Sequence, residues 1–168
     1  NVQKTPFSYW VPHTMLTIFD NNKEQLFTRA GMQTCDDFRF IRLLFEVPTT
    51  NRLDSRWSTF AKGGSYSRYY SDIHLLVTWG ECQPELEAFG EIKGNAARSR
   101  QSSEFYFRPG LTWTLRTQSG FGMRAMPAGC IFGHKGPAAF TDGDSPDMLL
   151  ALLAITTSTV FCYLVELQ

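Results

Sequence analysis

The sequence predicts an α+β fold: a twisted, mostly antiparallel sheet of short strands, with helices packed on one face and the last of them at the C-terminus. Three observations lead there. Short apolar and aromatic runs are cut repeatedly by turns such as Pro109-Gly110 and Gln118-Ser119-Gly120. Ser145-Pro146-Asp147 supplies an N-cap, a first-position proline and an acid suited to the helix dipole. An apolar helix over 148–154 follows, Thr156 to Ser158 interrupt it, and Thr159 opens a second.

The elements read in order as follows. Pro6 to Trp10 is an extended lead-in, and Pro12 starts a helix with Met15, Ile18 and Phe19 on one face. A short strand over 26–30 ends at Gly31. Thr34 to Asp37 form a polar loop. A heavily apolar strand over 38–47 stops at Pro48, with Arg39 and Arg42 on opposite faces. Extended structure returns over 57–62 and again over 73–79. Pro84 begins a helix carrying Leu86, Phe89 and Ile92, weakened by Gly90 and Gly94 at about 1 kcal/mol each relative to alanine. Residues 96–102 read as an exposed linker. Short strands near 105–108, 112–117, 121–126 and 130–132 precede the C-terminal helices.

At 168 residues, 43% hydrophobic and 19% charged, the chain is a globular unit, taken as one domain over 1–168. Asn1 at the start and an unterminated helix at the end suggest a piece cut from a longer polypeptide. The net charge of zero argues against a tight, autonomous DNA binder but leaves room for a local basic face. Cys35, Cys82, Cys130 and Cys162 are scattered without a C-x-x-C pair, which suits reduced thiols in a cytoplasmic protein. The longest apolar run, near 148–155, is too short to cross a membrane.

Two stretches carry unusual chemistry. Between Glu104 and Gly136, Arg108, Arg116, Arg124 and Lys135 alternate with aromatics, and Glu104 is the only acid. This spacing suits a surface meeting nucleic acid, or a buried sheet with a solvated basic edge. Lys62-Gly63-Gly64 with Arg68 gives paired glycines whose amides can approach an anion, or a loop packed by its own tyrosines. It is no P-loop.

Catalytic signatures are missing. No Asn-Pro-Pro-Tyr, Asp-Pro-Pro-Tyr or G-x-S-x-G occurs, and Gly120-x-Gly122 lacks a third glycine. His13, His74, His134 and the cysteines lack zinc spacing. His74 reads as a strand residue, and the spacing of Cys130 and His134 as coincidence rather than a thiol nucleophile.

Residues 29–40, 45–48, 60–70, 105–113, 116–121, 126–137 and 149–153 together resemble the C-terminal region of large bacterial restriction–modification methylases. These are the fused type II enzymes and the related adenine methylases of phage-exclusion systems. The resemblance runs from near Thr5 to the end. It departs at Thr156-Thr157-Ser158, where the family often has Asn-Ser.

The resemblance implies a target-recognition domain that performs no reaction itself. It reads double-stranded DNA beside an N-terminal methyltransferase domain of the same polypeptide. No cofactor is implied for this segment, and S-adenosylmethionine is implied for that partner. In this reading Lys62, Arg68 and the Gly63 and Gly64 amides hold phosphates. Arg108, Arg116 and Arg124 contact base edges or phosphates, Lys135 a phosphate, and Thr34 and Asp37 touch DNA or support their loop. The alternative is a β-rich module binding carbohydrate or protein through Tyr66, Tyr69, Tyr70 and Trp113. A freestanding enzyme ranks last.

Overall fold

The computed structural model describes residues 26–49 and 56–166. The expectations for Pro6 to Trp10 and for the helix at Pro12 lie outside them. The fold is α+β, and its short strands divide between two four-stranded sheets among the described residues. The strands are β1 (Leu26–Arg29), β2 (Ile41–Leu43), β3 (Trp57–Ala61), β4 (Leu75–Thr78), β5 (Gly110–Trp113), β6 (Met123–Met126), β7 (Cys130–Phe132) and β8 (Ala138–Thr141). The helices are α1 (Asp37–Phe40), α2 (Gln83–Ile92), α3 (Ala96–Ser99), α4 (Pro146–Thr156) and α5 (Thr159–Glu166).

One sheet has the order β1-β8-β5-β6 and is antiparallel throughout. The other has the order β2-β4-β3-β7 and ends in a parallel pair, β3 with β7. The main core draws Phe60, Val77 and Phe132 from the second sheet and Met126, Ala138 and Phe140 from the first. Phe140 packs on Phe132 and on Phe105, with ring centres 5.3 and 5.1 Å apart. Burying each such ring contributes about 1.5–3 kcal/mol. Leu86 of α2 is fully buried in this core, and Phe89 packs edge-on against Phe40.

Because side chains alternate along strands, Leu111, Met123 and Ala139 face the other way. They form a second, smaller core with Leu149, Leu152 and Leu153 of α4. The cap expected at Ser145 is present, its hydroxyl accepting from Met148 N. α4 and α5 meet at a bend of 60°. No single helix among the described residues is long and apolar enough to cross a membrane.

Four segments depart from the sequence reading. Residues 96–99, expected within an exposed linker, form α3 with Ser99 buried. The long strand expected over 38–47 is cut to β2. Asp36 caps α1 by accepting from Arg39 N, and the Glu46 carboxylate takes the Leu43 amide, turning 44–46 into a 3-10 turn. Local side-chain acceptors thus outcompete the strand ladder. Residues 103–105 form a 3-10 turn instead of opening a strand. β8 carries no alternation signal, since all four of its residues are buried.

Candidate nucleic-acid interface

The parallel pairing of β3 and β7 builds the site. Thr59 lies opposite Cys130, Phe60 opposite Ile131 and Ala61 opposite Phe132, so both strands run out at the same end. The loops that follow, Lys62-Gly63-Gly64 and Gly133-His134-Lys135-Gly136, therefore emerge side by side. Gly133 N donates to Ala61 O at 2.9 Å. Glycine is required for the approach: a Cβ on Gly63 would sit 2.5 Å from Lys135 O, and one on Gly136 2.4 Å from Gly63 N. The segment after β5 laces onto both. Leu115 N donates to Lys135 O at 3.0 Å, and Thr114 Oγ1 to Gly64 O at 3.0 Å.

These three loops enclose a groove of about 700 Å³. Lys62, Arg116 and Lys135 line it with His74 and His134, and among the described residues no carboxylate does. Arg116 and Lys135 are exposed. A second hollow of about 290 Å³ lies beyond Lys62 and Lys135 and includes Thr34 and Asp37. Met32 holds that loop beside β7, accepting from His134 N at 3.0 Å and donating to Phe132 O at 3.1 Å.

Asp37 lines the second hollow and pairs with Lys62, which lines both. Its carboxylate accepts from Thr34 Oγ1 at 2.7 Å and forms an ion pair with Lys62. Partial burial alone would raise its pKa. The hydrogen bonds from Lys62 and Thr34, with the charges of Lys62 and Lys135, outweigh burial and hold it below the usual carboxylate range.

The structure thus gathers Thr34, Asp37, Lys62, Gly63, Gly64, Arg116 and Lys135 around one feature. The remaining three cations lie elsewhere. Arg124 is 2% exposed and sits beneath the groove floor. It donates to Ser65 O at 2.9 Å, Gly63 O at 3.2 Å and Thr114 Oγ1 at 3.2 Å. Burial lowers its pKa, and its guanidinium has no open face for a base edge. Arg108 is committed to the fold. Its Nε donates to Asp144 Oδ1 at 2.8 Å and its Nη2 to Thr141 O at 3.0 Å. Its guanidinium also stacks 5.3 Å from the Phe105 ring centre. Arg68 donates to the Tyr66 hydroxyl at 2.7 Å and points toward Cys162 on α5, away from the groove lining.

Sequence reasoning missed Thr114 and gave His74 and His134 no place in the site. His134 lines both hollows, and its Nδ1 is buried without a hydrogen-bond partner among the described residues. Its position between Gly133 and Lys135 was the available signal. Cys130 is buried, which raises its thiol pKa against a weaker lowering by Thr59, so it is an inert core thiol. Among the described residues no three His, Cys, Asp or Glu side chains converge on a possible metal position. The four aromatics of the alternative do not share one role: Trp113 packs on Phe121 at the smaller core and the Tyr66 hydroxyl accepts from Arg68, which leaves Tyr69 and Tyr70 exposed.

No family model matches the chain. Similarity lies with individual proteins. The chain is similar to adenine-specific methyltransferases. It is 24% identical to the adenine-specific methyltransferase PglX of Lacticaseibacillus casei (strain Zhang), over 95% of this chain and 14% of that protein. It is 29% identical to the adenine-specific methyltransferase BrxX of Escherichia coli O9:H4 (strain HS), over 95% of this chain and 13% of that protein. The chain thus spans 13–14% of the length of these relatives.

Proposed function

We propose that this chain is the DNA-reading part of a larger adenine-specific methyltransferase. The observation that carries this reading is the groove lined by Lys62, Arg116 and Lys135 on three convergent loops, with no carboxylate in its lining among the described residues. It occurs in a chain whose relatives are named for adenine methylation. Lys62, Lys135 and the Gly64 amide hold phosphates of the duplex. Arg116 reaches a phosphate or a base edge, where a bidentate arginine–guanine pair discriminates by about 1–3 kcal/mol. Asp37 holds Lys62 in place through their ion pair.

The reaction belongs to another domain of the same cytoplasmic polypeptide, which flips the adenine out of the stack and uses S-adenosylmethionine as methyl donor. The Gly120-x-Gly122 pair of this chain does not form a loop that could admit that cofactor. A Cβ on Gly122 would sit 2.7 Å from Ser67 O and 2.8 Å from the Tyr66 ring, and one on Gly120 3.3 Å from Glu166. This glycine pair serves packing.

Duplex binding measured by fluorescence anisotropy tests the proposal. R116A and K135A each weaken binding and lower the slope of log K against log salt by about 1. Variants that bind duplex with the wild-type slope contradict it, as does binding that ignores salt.

A further inference from the structure

Arg124 raises a question the groove alone does not answer. Among the described residues it is the only charged side chain in the buried set, and none of their carboxylates forms an ion pair with it. Its Nε also lacks a hydrogen-bond partner. Asp72 lines the same small cavity, of about 30 Å³, but hydrogen-bonds Tyr70 instead. A buried cation without a counter-charge is costly and needs an explanation.

The guanidinium draws the carbonyl oxygens of Gly63 and Ser65 inward. In a planar trans peptide the N–H lies opposite the C=O. Pulling Gly63 O inward therefore turns the Gly64 N–H outward, toward the groove that Gly64 lines. Gly64 adopts φ +103°, and a Cβ there would meet nothing within 4 Å, so the space above it is open.

We propose that Arg124 is a positioning residue for a phosphate group held over Gly64. It presents the Gly64 amide outward, and the bound phosphate supplies a counter-charge that no carboxylate of the described residues provides by ion pairing. This rests on the groove being the duplex-binding site, and the ligand in that case is a backbone phosphodiester. Lys62, Arg116 and Lys135 surround the anion, and Arg124 acts on it from beneath through the loop. Among the described residues no carboxylate enters the groove lining, where it would compete for the same charges.

The test titrates the 168-residue chain with pyrophosphate and, separately, with a short duplex. Readouts are the amide spectrum and the melting temperature of wild type, R124M and R124K. The expected result is a shift of the Gly64 amide in wild type and a rise in melting temperature with ligand. R124M retains shape without charge and loses most of that rise and at least tenfold in duplex affinity. R124K keeps part of both.

A wild-type Gly64 amide unmoved by either ligand overturns the proposal, and this arm needs no variant to fold. So does an R124M that keeps the full response. If R116A and K135A weaken duplex binding while R124M does not, this inference fails and the DNA reading stands. If pyrophosphate shifts Gly64 but the duplex does not, the phosphate site stands and the DNA reading fails.

Discussion

Asp37 illustrates how a single carboxylate ties the site to stability. Its pKa is depressed in the folded state, so its contribution is fully present above the unfolded value of about 3.9. That contribution is lost as pH falls through the lower folded value. Urea unfolding of wild type and D37N between about pH 6 and 2 should therefore show a stability gap that closes at the acid end. A gap that persists unchanged at the lowest pH contradicts the ion pair with Lys62 as its source. Arg108 provides the contrast. It pairs with Asp144 at 2.7 Å and bonds Thr141 O, so R108A should cost about 1–2 kcal/mol of stability. The same variant should leave the salt slope of duplex binding unchanged.

Among the elements, the parallel pair β3 and β7 governs the site, because it brings two loops about seventy positions apart in sequence to one edge. Gly63 makes their contact possible, with φ +96° and Lys135 O where a side chain would go. G63A should destabilise by more than about 1 kcal/mol, and by more than G64A, which meets strain at φ +103° but no clash. Equal melting temperatures for the two variants would show that the loops are not held as described. The element scale also shows what was legible in the sequence. The cap at Ser145, the proline start of α2 and a helix break are local signals, and they appear close to where the residues place them, the break falling at Thr157 and Ser158 with Thr156 still in α4. The parallel pairing of β3 with β7 is not local, and neither is the burial of β8 on both faces. For the same reason Arg108 and Arg124 look like exposed strand cations in sequence. Their partners Asp144, Thr141, Ser65 and Gly63 are distant in the chain.

Over the whole molecule, zero net charge conceals segregation. Among the described residues, Arg116 and Lys135 stand at one groove with no carboxylate in its lining, and Lys62 beside them is matched by Asp37 of the adjoining hollow, as Arg39, Arg100 and Arg108 are matched by Glu85, Glu87 and Asp144 elsewhere. A neutral molecule with one cationic groove binds duplex less tightly than a broadly basic one and loses that affinity as salt rises. This suits a part of a larger enzyme that shares the duplex with a neighbouring domain. The most direct test measures duplex affinity of the chain and of an R116A/K135A double variant between about 50 and 200 mM salt. The account predicts a linear fall of log K with log salt for the wild type, and a slope smaller by about 2 for the double variant. Identical slopes and affinities for the two proteins would contradict it.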